Sequence, residues 1–381
     1  MKNGWQTKRL GDFAATVSTG PFGSILHKSD YVDDGVPLVN PINMVDEGIV
    51  PDPSKLISGV TKRRLSSYVL KTGDVVVARR GEIGRCAVIG SREDGWVCGT
   101  GSFFIRPLPI LDSQFLAHLI RSNGYREKLE QLSTGTTMKN LSNTALGDLA
   151  ISVPPLPEQQ RIVGLLDEAF AGLATAKANA EKNLQNARAL FESHLQSVFT
   201  LRGKDWVEKS LGEMCEMYQP KTIGTKDLVA DGTYPVFGAN GVIGRYDKFN
   251  HEEPQLLITC RGSTCGAVNI SEPKSWITGN AMVVRPKDHA LDLRFLEFVF
   301  RGGIDISKAI TGAAQPQITR TNLSPPLIRY PKSVSDQKRL ASTFESLTEE
   351  TQRLESLYQR KLAALEALKK SLLHQAFTGE L

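Results

Sequence analysis

Two kinds of hydrophobic pattern alternate along the chain. Short β-branched runs bounded by Gly and Pro predict strands: "DVVVA" at 74–78, "CAVIG" at 86–90, "QLLIT" at 255–259 and "AMVVRP" at 281–286. "SQFLAHLIRSNGYREKLEQL" (113–132) reads as a helical interlude. Two longer stretches place apolar residues at three-four spacing. The first has Leu166, Phe170, Leu173, Ala180, Leu184, Ala187, Phe191 and Val198, with Lys177 and His194 in the gaps; the second has Leu340, Phe344, Leu347, Leu354, Tyr358, Leu365, Leu368 and Leu372. That is the stripe of a coiled coil. Pro154, Pro155 and Pro157, and again Pro331, stop the preceding strand and suit a helix's first turn, where no amide partner is needed. Glu158 or Asp336 then sets a carboxylate at the positive end of the helix dipole, with Ser335 as the expected N-cap of the second helix.

The whole pattern occurs twice. "WQTKRLGDF" from Trp5 is answered by "WVEKSLGEM" from Trp206, and "GDVVVARRGEIGRCAV" (73–88) by "PQLLITCRGSTCGAV" (254–268). "FFIRPL" from Phe103 parallels "MVVRPK" from Met282, "STGTTMKNLS" from Ser133 parallels "ITGAAQPQIT" from Ile310, and "EQQRIV" from Glu158 parallels "DQKRLA" from Asp336. Doubling of one unit is the reading. It gives an α+β chain of two mixed α/β domains, at 1–157 and 201–335, each followed by a long helix, at 158–200 and 336–381. Each helix is about 65 Å long at 1.5 Å per residue. Only "LRGKD" separates the first helix from Trp206, and about five extended residues span at most roughly 18 Å. Two such helices can pair only antiparallel, with a domain at each end and pseudo-two-fold symmetry.

Composition narrows the function. The chain has 381 residues and a formal net charge of +5. Residues 158–200 hold four Lys/Arg against five Asp/Glu, and residues 336–381 seven against seven, so the positive excess lies outside the helices. A phosphate-backbone partner suits that distribution. Cys86, Cys98, Cys215, Cys260 and Cys265 form an odd set without a CxxC pair, which argues against a disulfide framework or zinc site and for inert thiols. No apolar run of membrane length and no signal peptide stand in the sequence, so a cytoplasmic protein is expected. Nucleotide-binding, zinc-protease and serine-hydrolase motifs are absent too, which predicts a non-catalytic chain without a cofactor of its own.

"PPLPEQQRIVGLLDEAF" (154–170), its echo "SDQKRLASTF" (335–344), "STGTTMKNLS" and the closing "SLLHQAFTGEL" (371–381) resemble the specificity subunits of type I restriction-modification systems. The second copy departs from the pattern, with "YPKSVSDQ" in place of "PPLPEQ" and "AAQPQ" in place of "TTMKN". The resemblance implies two target recognition domains, each reading one half of a split double-stranded DNA target, with the helices fixing the spacer. It also implies partners: two modification subunits that bind S-adenosylmethionine, and restriction subunits that use ATP and Mg.

Candidate DNA contacts follow from residue type. Arg79, Arg80 and Arg261 stand at strand ends beside Gly81 and Gly262, where a guanidinium can meet a guanine edge or a phosphate. The competing reading has each arginine cap a strand or pair with Glu82 or another carboxylate. Lys139 and Asn140, with Gln315, Gln317 and Arg320 in the second copy, are base or phosphate donors just before the last strand. Ser24, His27 and Lys28, with Lys221 and Lys226, are further candidates, whereas Asn240 and Arg245 fit simple turn chemistry. Gln159, Arg161, Gln337 and Arg339 are read as outward corner positions where the modification subunits dock; a solvated corner is the other reading. A coiled-coil scaffold that binds proteins and not DNA is the alternative function.

Overall fold

The computed structural model describes residues 4–45, 48–134, 140–201, 203, 205–238, 240–312 and 314–381. The chain divides into two units, Met1–Ala180 with Lys361–Leu381, and Glu181–Arg360. In the first unit the β-branched runs form an antiparallel four-stranded sheet in the order Ala14–Thr19, Ser102–Pro107, Val75–Ala78, Cys86–Val88. Val75 and Val77 pack with Phe103 and Ile105 against Phe115, Leu116, Leu119 and Ile120 of the helix Ser113–Arg121, all buried. Asp112 caps that helix by accepting the Phe115 amide at 2.9 Å. A second sheet, ordered Val97–Cys98, Val36–Val39, Leu56–Ile57, Tyr31–Val32, covers part of the other face through Val39, Val76, Ala87 and Phe104.

The second unit repeats the frame. Its four-stranded sheet runs Cys215–Tyr218, Ala281–Pro286, Leu256–Thr259, Val268–Ile270, and Asp292 caps the helix Leu293–Phe298 through the Phe295 amide at 3.0 Å. Its smaller sheet has three strands, Gly241–Tyr246, Tyr234–Gly238 and Trp276–Ile277, where the first unit has four.

The long helices are Leu156–Leu201 and Val334–Thr378. Each unit's core takes one end of each. Ile162 and Leu166 enter the first core with Leu373 and Ala376, while Ala341 and Phe344 enter the second with Leu195 and Phe199. Phe377 meets Phe115 edge-on at 5.4 Å, and Phe199 meets Phe295 at 5.8 Å. In the first unit Arg161 reaches the Leu381 carbonyl at 3.1 Å and Lys177 reaches Glu366 at 3.3 Å; in the second Arg188 reaches Glu355 at 2.8 Å and Phe199 stacks on Phe344 at 6.0 Å. Within each unit, residues ascending along one helix meet residues descending along the other.

Four expectations are corrected. Gln159 and Gln337 are not outward: both are 0% exposed. Gln159 Oε1 accepts the Asp112 amide at 2.7 Å while Nε2 donates to the Ile110 and Pro154 carbonyls; Gln337 does the same with Asp292, Ala290 and Pro331. Each amide side chain satisfies three backbone groups, one of them fully buried, and ties a long helix's start to the cap of Ser113–Arg121 or Leu293–Phe298. Ser333, and not Ser335, caps the second long helix, its hydroxyl accepting the Asp336 amide at 3.3 Å. Lys177 and His194 are exposed at the seam's margin, Lys177 on Glu366 and His194 edge-on to Phe344 at 6.2 Å, while Leu195 fills the buried place. Leu368 is 48% exposed, and the next residue, Lys369, lies over the Phe170 ring.

Candidate nucleic-acid interface

The Val75–Ala78 strand runs out into Arg79 and Arg80, and the backbone there is held from two sides. The Arg79 amide donates to the Gly101 carbonyl at 3.0 Å, and its own carbonyl accepts the Leu141 amide at 3.1 Å. Arg79 is a brace: its Nε donates to Asn140 Oδ1 at 3.1 Å and its guanidinium lies 5.6 Å from the Phe103 ring centre. Burial, and then repulsion from Arg80, pull its pKa below the usual arginine value. Arg80 is exposed and forms a β-bridge with Asn140. Gly81 then turns the chain with φ +70°.

The competing pairing of these arginines with Glu82 does not occur. Glu82 takes Arg85 and, at 2.9 Å, Arg126; the Arg85 hydrogen bond is the leading cause that holds its carboxyl below the ordinary range. Lys139 lies outside the described residues.

The second unit builds the same backbone with other side chains. Cys260 stands where Arg79 does, its amide on the Asn280 carbonyl at 3.3 Å and its carbonyl accepting the Ile318 amide at 2.9 Å. Arg261, exposed, is bridged to Gln317, as Arg80 is to Asn140. Gly262, φ +88°, closes onto the Pro316 carbonyl at 3.1 Å. Gln315, Gln317 and Arg320 are all exposed, Arg320 opening the short helix Arg320–Leu323 capped by Thr319. Thus Arg79, Arg80 and Asn140 come together in one unit, and Arg261 and Gln317 in the other.

The remaining candidates stand apart from these bridges. Ser24, His27 and Lys28 are exposed on the segment after Gly20, whose α-carbon is so close to the loop at Gly99 that a Cβ would lie 2.1 Å from the Gly99 carbonyl. Lys221 and Lys226 are exposed on the matching segment of the second unit. Gln219 Nε2 donates to the Gly279 carbonyl at 3.1 Å, and Thr222 Oγ1 accepts the Gly279 amide at 3.1 Å. Arg245 donates to the Gly232 and Thr233 carbonyls, a structural role.

Asn240 does more than turn the chain. Its Oδ1 accepts the Thr264 hydroxyl at 2.8 Å and the Thr259 hydroxyl at 3.2 Å, fastening the hairpin of Tyr234–Tyr246 to the Arg261 loop. An Asn-Gly pair signals a turn whether or not its side chain is used, so the sequence held no sign of this link. Arg161 and Arg339 are exposed and pair with Glu158 at 2.8 Å and Asp336 at 3.0 Å.

No cluster that could hold a metal ion occurs among the described residues, and no helix is long and apolar enough to cross a membrane. All five cysteines are free, and burial pushes each thiol's pKa up, that of Cys215 to about 12.

Comparison with known proteins bears on these surfaces. The family model described as the type I restriction modification DNA specificity domain matches residues 2–184 and 203–364. The EcoKI specificity subunit of Escherichia coli K12 is 29% identical over 155 residues, 39% of this chain; on that alignment the chain spans 32% of the relative. The StySPI specificity subunit of Salmonella potsdam is 22% identical across 100% of this chain and 90% of its own length. A solved chain reported under the structural basis of complex assembly and conformational transition of the type I R-M system has a TM-score of 0.79 at 21% identity, covering 100% of this chain and 99% of that one. The HsdS subunit from Thermoanaerobacter tengcongensis has a TM-score of 0.65 at 20% identity, covering 100% and 98%. Both share the fold.

Proposed function

This chain belongs to the type I restriction modification DNA specificity domain family, and from that premise we propose that each of its units reads one half of a bipartite duplex target. It is a non-catalytic specificity subunit, and recognition of the DNA target is its family's work. The observation that carries the bipartite reading is the repeated bridge, Arg80 to Asn140 and Arg261 to Gln317. In both units an exposed arginine after a buried strand is set beside a polar hairpin, on a backbone held by the same bonds. Arginine bidentate to guanine and amide side chains bidentate to adenine are the standard major-groove contacts. Gln315 and Arg320 are assigned beside the second bridge as phosphate or base contacts, Ser24 and Lys28 to a separate contact segment of the first unit, and Lys139, outside the described residues, on residue type alone; residues 1–157 and 201–335 act as the recognition domains.

The long helices, in this reading, form an antiparallel coiled coil with pseudo-two-fold symmetry that sets the spacer between half-sites. The opposite sense of the helix contacts within each unit supports it. Two modification subunits carrying S-adenosylmethionine, and restriction subunits using ATP and Mg, would assemble on this chain. Arg161 and Arg339 remain the corner contacts assigned to the modification subunits.

Gel-shift titration of the chain, with and without co-expressed modification subunits, at low and moderate salt tests the reading. Binding that weakens steeply with salt is expected, because phosphate contacts release counterions. No shift under any condition removes it and leaves a protein-protein scaffold. Sequencing of methylated adenines in cells carrying the complete set should then return two half-sites and one spacer length.

A further inference from the structure

In the second unit's smaller sheet, strands Tyr234–Gly238 and Gly241–Tyr246 pair antiparallel with Gly238 opposite Gly241, and the latter strand is the sheet's edge. Gly241 takes φ +112°, a conformation L side chains rarely adopt. Immediately past it two aliphatic side chains face solvent, Val242 at 54% and Ile243 at 51% exposure. Edge strands are usually blunted by charge or proline. This one instead presents apolar surface, and its Arg245 is turned back onto backbone carbonyls.

Asn240, two residues before Val242, is bonded to Thr264, three residues after Arg261. Thr264 lies on the loop that carries Arg261, so this hydrogen bond fastens the hairpin bearing the aliphatic pair to the Arg261 loop. A guanidinium can pair with a guanine edge. An aliphatic side chain has one partner among base edges in the major groove, the C5 methyl of thymine, which cytosine and uracil lack.

We propose that Val242 and Ile243 determine specificity by contacting thymine methyl groups in the half-site read by the second unit. The proposal rests on the DNA-reading assignment above, and its test separates the two. Randomised duplex pools, one containing thymine and one containing uracil in its place, are selected on the full chain with its co-expressed modification subunits and sequenced. The thymine pool should yield two half-sites. In the uracil pool one half-site should lose its preference at the thymine positions, each methyl being worth roughly fourfold in affinity. A Val242→Ser/Ile243→Ser chain should lose that same preference on the thymine pool and keep the other half-site.

Identical motifs from both pools overturn the proposal and leave DNA reading standing. Thymine preference that survives in the double variant also overturns it, since the contact then comes from elsewhere. No motif from either pool overturns the proposal together with the reading beneath it.

Discussion

In the first unit the turn after the Val75–Ala78 strand is braced by Arg79, whose guanidinium is spent on Asn140 and the Phe103 ring. In the second unit that place is a buried cysteine, Cys260, and the bracing passes to Asn240, which reaches across from a neighbouring hairpin to Thr259 and Thr264. The backbone bonds around the two turns are nonetheless equivalent. The flanks differ as well. The first unit follows Ser113–Arg121 with a second helix, Asn123–Leu132, whose Arg126 holds Glu82. The second has a wide turn at Val299–Gly303, where Gly302 and Gly303 lie so close to Leu195 and Phe199 that a Cβ would sit 2.6 and 2.7 Å from them. Main-chain hydrogen bonds set the frame in both units, so side chains around the exposed arginine are free to diverge.

The largest expected effect tests the shared frame. Gln159→Ala and Gln337→Ala each orphan one amide and two carbonyls, and a buried unsatisfied group costs about 1–3 kcal/mol. Only the Pro154 or Pro331 carbonyl bond is fully buried, so each substitution should destabilise by on the order of 2–4 kcal/mol, alike in the two units, as read by urea unfolding with amide hydrogen exchange followed unit by unit. A loss below about 1 kcal/mol in either unit would mean that water replaces the amide and that the frame is not equally dependent on it.

The divergent side chains come next. Arg80→Ala and Arg261→Ala should each relax selection at one half-site, worth about 1–3 kcal/mol of base discrimination if the contact is bidentate. Arg79→Ala should loosen the whole first turn and blur several positions, whereas Cys260→Ala should leave binding nearly unchanged. Selection and sequencing of each variant measures both. Equal outcomes for Arg79→Ala and Cys260→Ala would erase the contrast between the braces.

These residues also mark how far sequence carried the description. The duplicated strands and helix entries were legible because burial imposes a period, as at Val75–Ala78 and Leu256–Thr259. Gln159 was misread because a buried amide and a surface amide are the same letter; its partners, the Ile110 and Pro154 carbonyls, are backbone groups with no sequence signature. Leu368 was misplaced because a seven-residue repeat drifts from 3.6 residues per turn, and the inward position passes to Lys369. Asn240 was underrated because a turn signal accounts for it locally, while its partner Thr264 lies on another loop.

A smaller contrast depends on pH. His118 is buried in the first unit with Nε2 2.9 Å from Asp167, while Phe298 occupies the matching place in the second. Burial lowers the His118 pKa; the Asp167 hydrogen bond opposes this, Arg121 lowers it further and Asp112 raises it. The unfolded histidine takes up a proton near pH 6.5 and the folded one does not, so its share of stability is whole above that pH and declines as pH falls through it. His118→Phe should flatten the loss of first-unit protection between pH 7 and 5. The second unit should keep its own acid loss from His251, whose pKa burial and then Arg285 lower. An unchanged first-unit pH profile in His118→Phe would assign the acid sensitivity elsewhere.

The smallest effect lies on the helices. Aligned at Gln159 and Gln337, Lys177 corresponds to Glu355 and Glu366 to Arg188, so the two ion pairs occupy matching places with their signs exchanged. In both units the cation sits on the first helix and the carboxylate on the last. Exposed pairs contribute little to stability, and salt screens them. What they supply is preference: each helix finds the opposite sign on the other and would face its own sign on a second copy of itself. Lys177→Glu should lower the unfolding midpoint slightly, Lys177→Glu with Glu366→Lys should restore it, and the difference should vanish at 1 M salt. The Arg188–Glu355 cycle should show the larger coupling, because Glu355 is 28% exposed against 53% for Glu366. Equal or absent coupling in both cycles would mean that apolar packing alone selects the pairing.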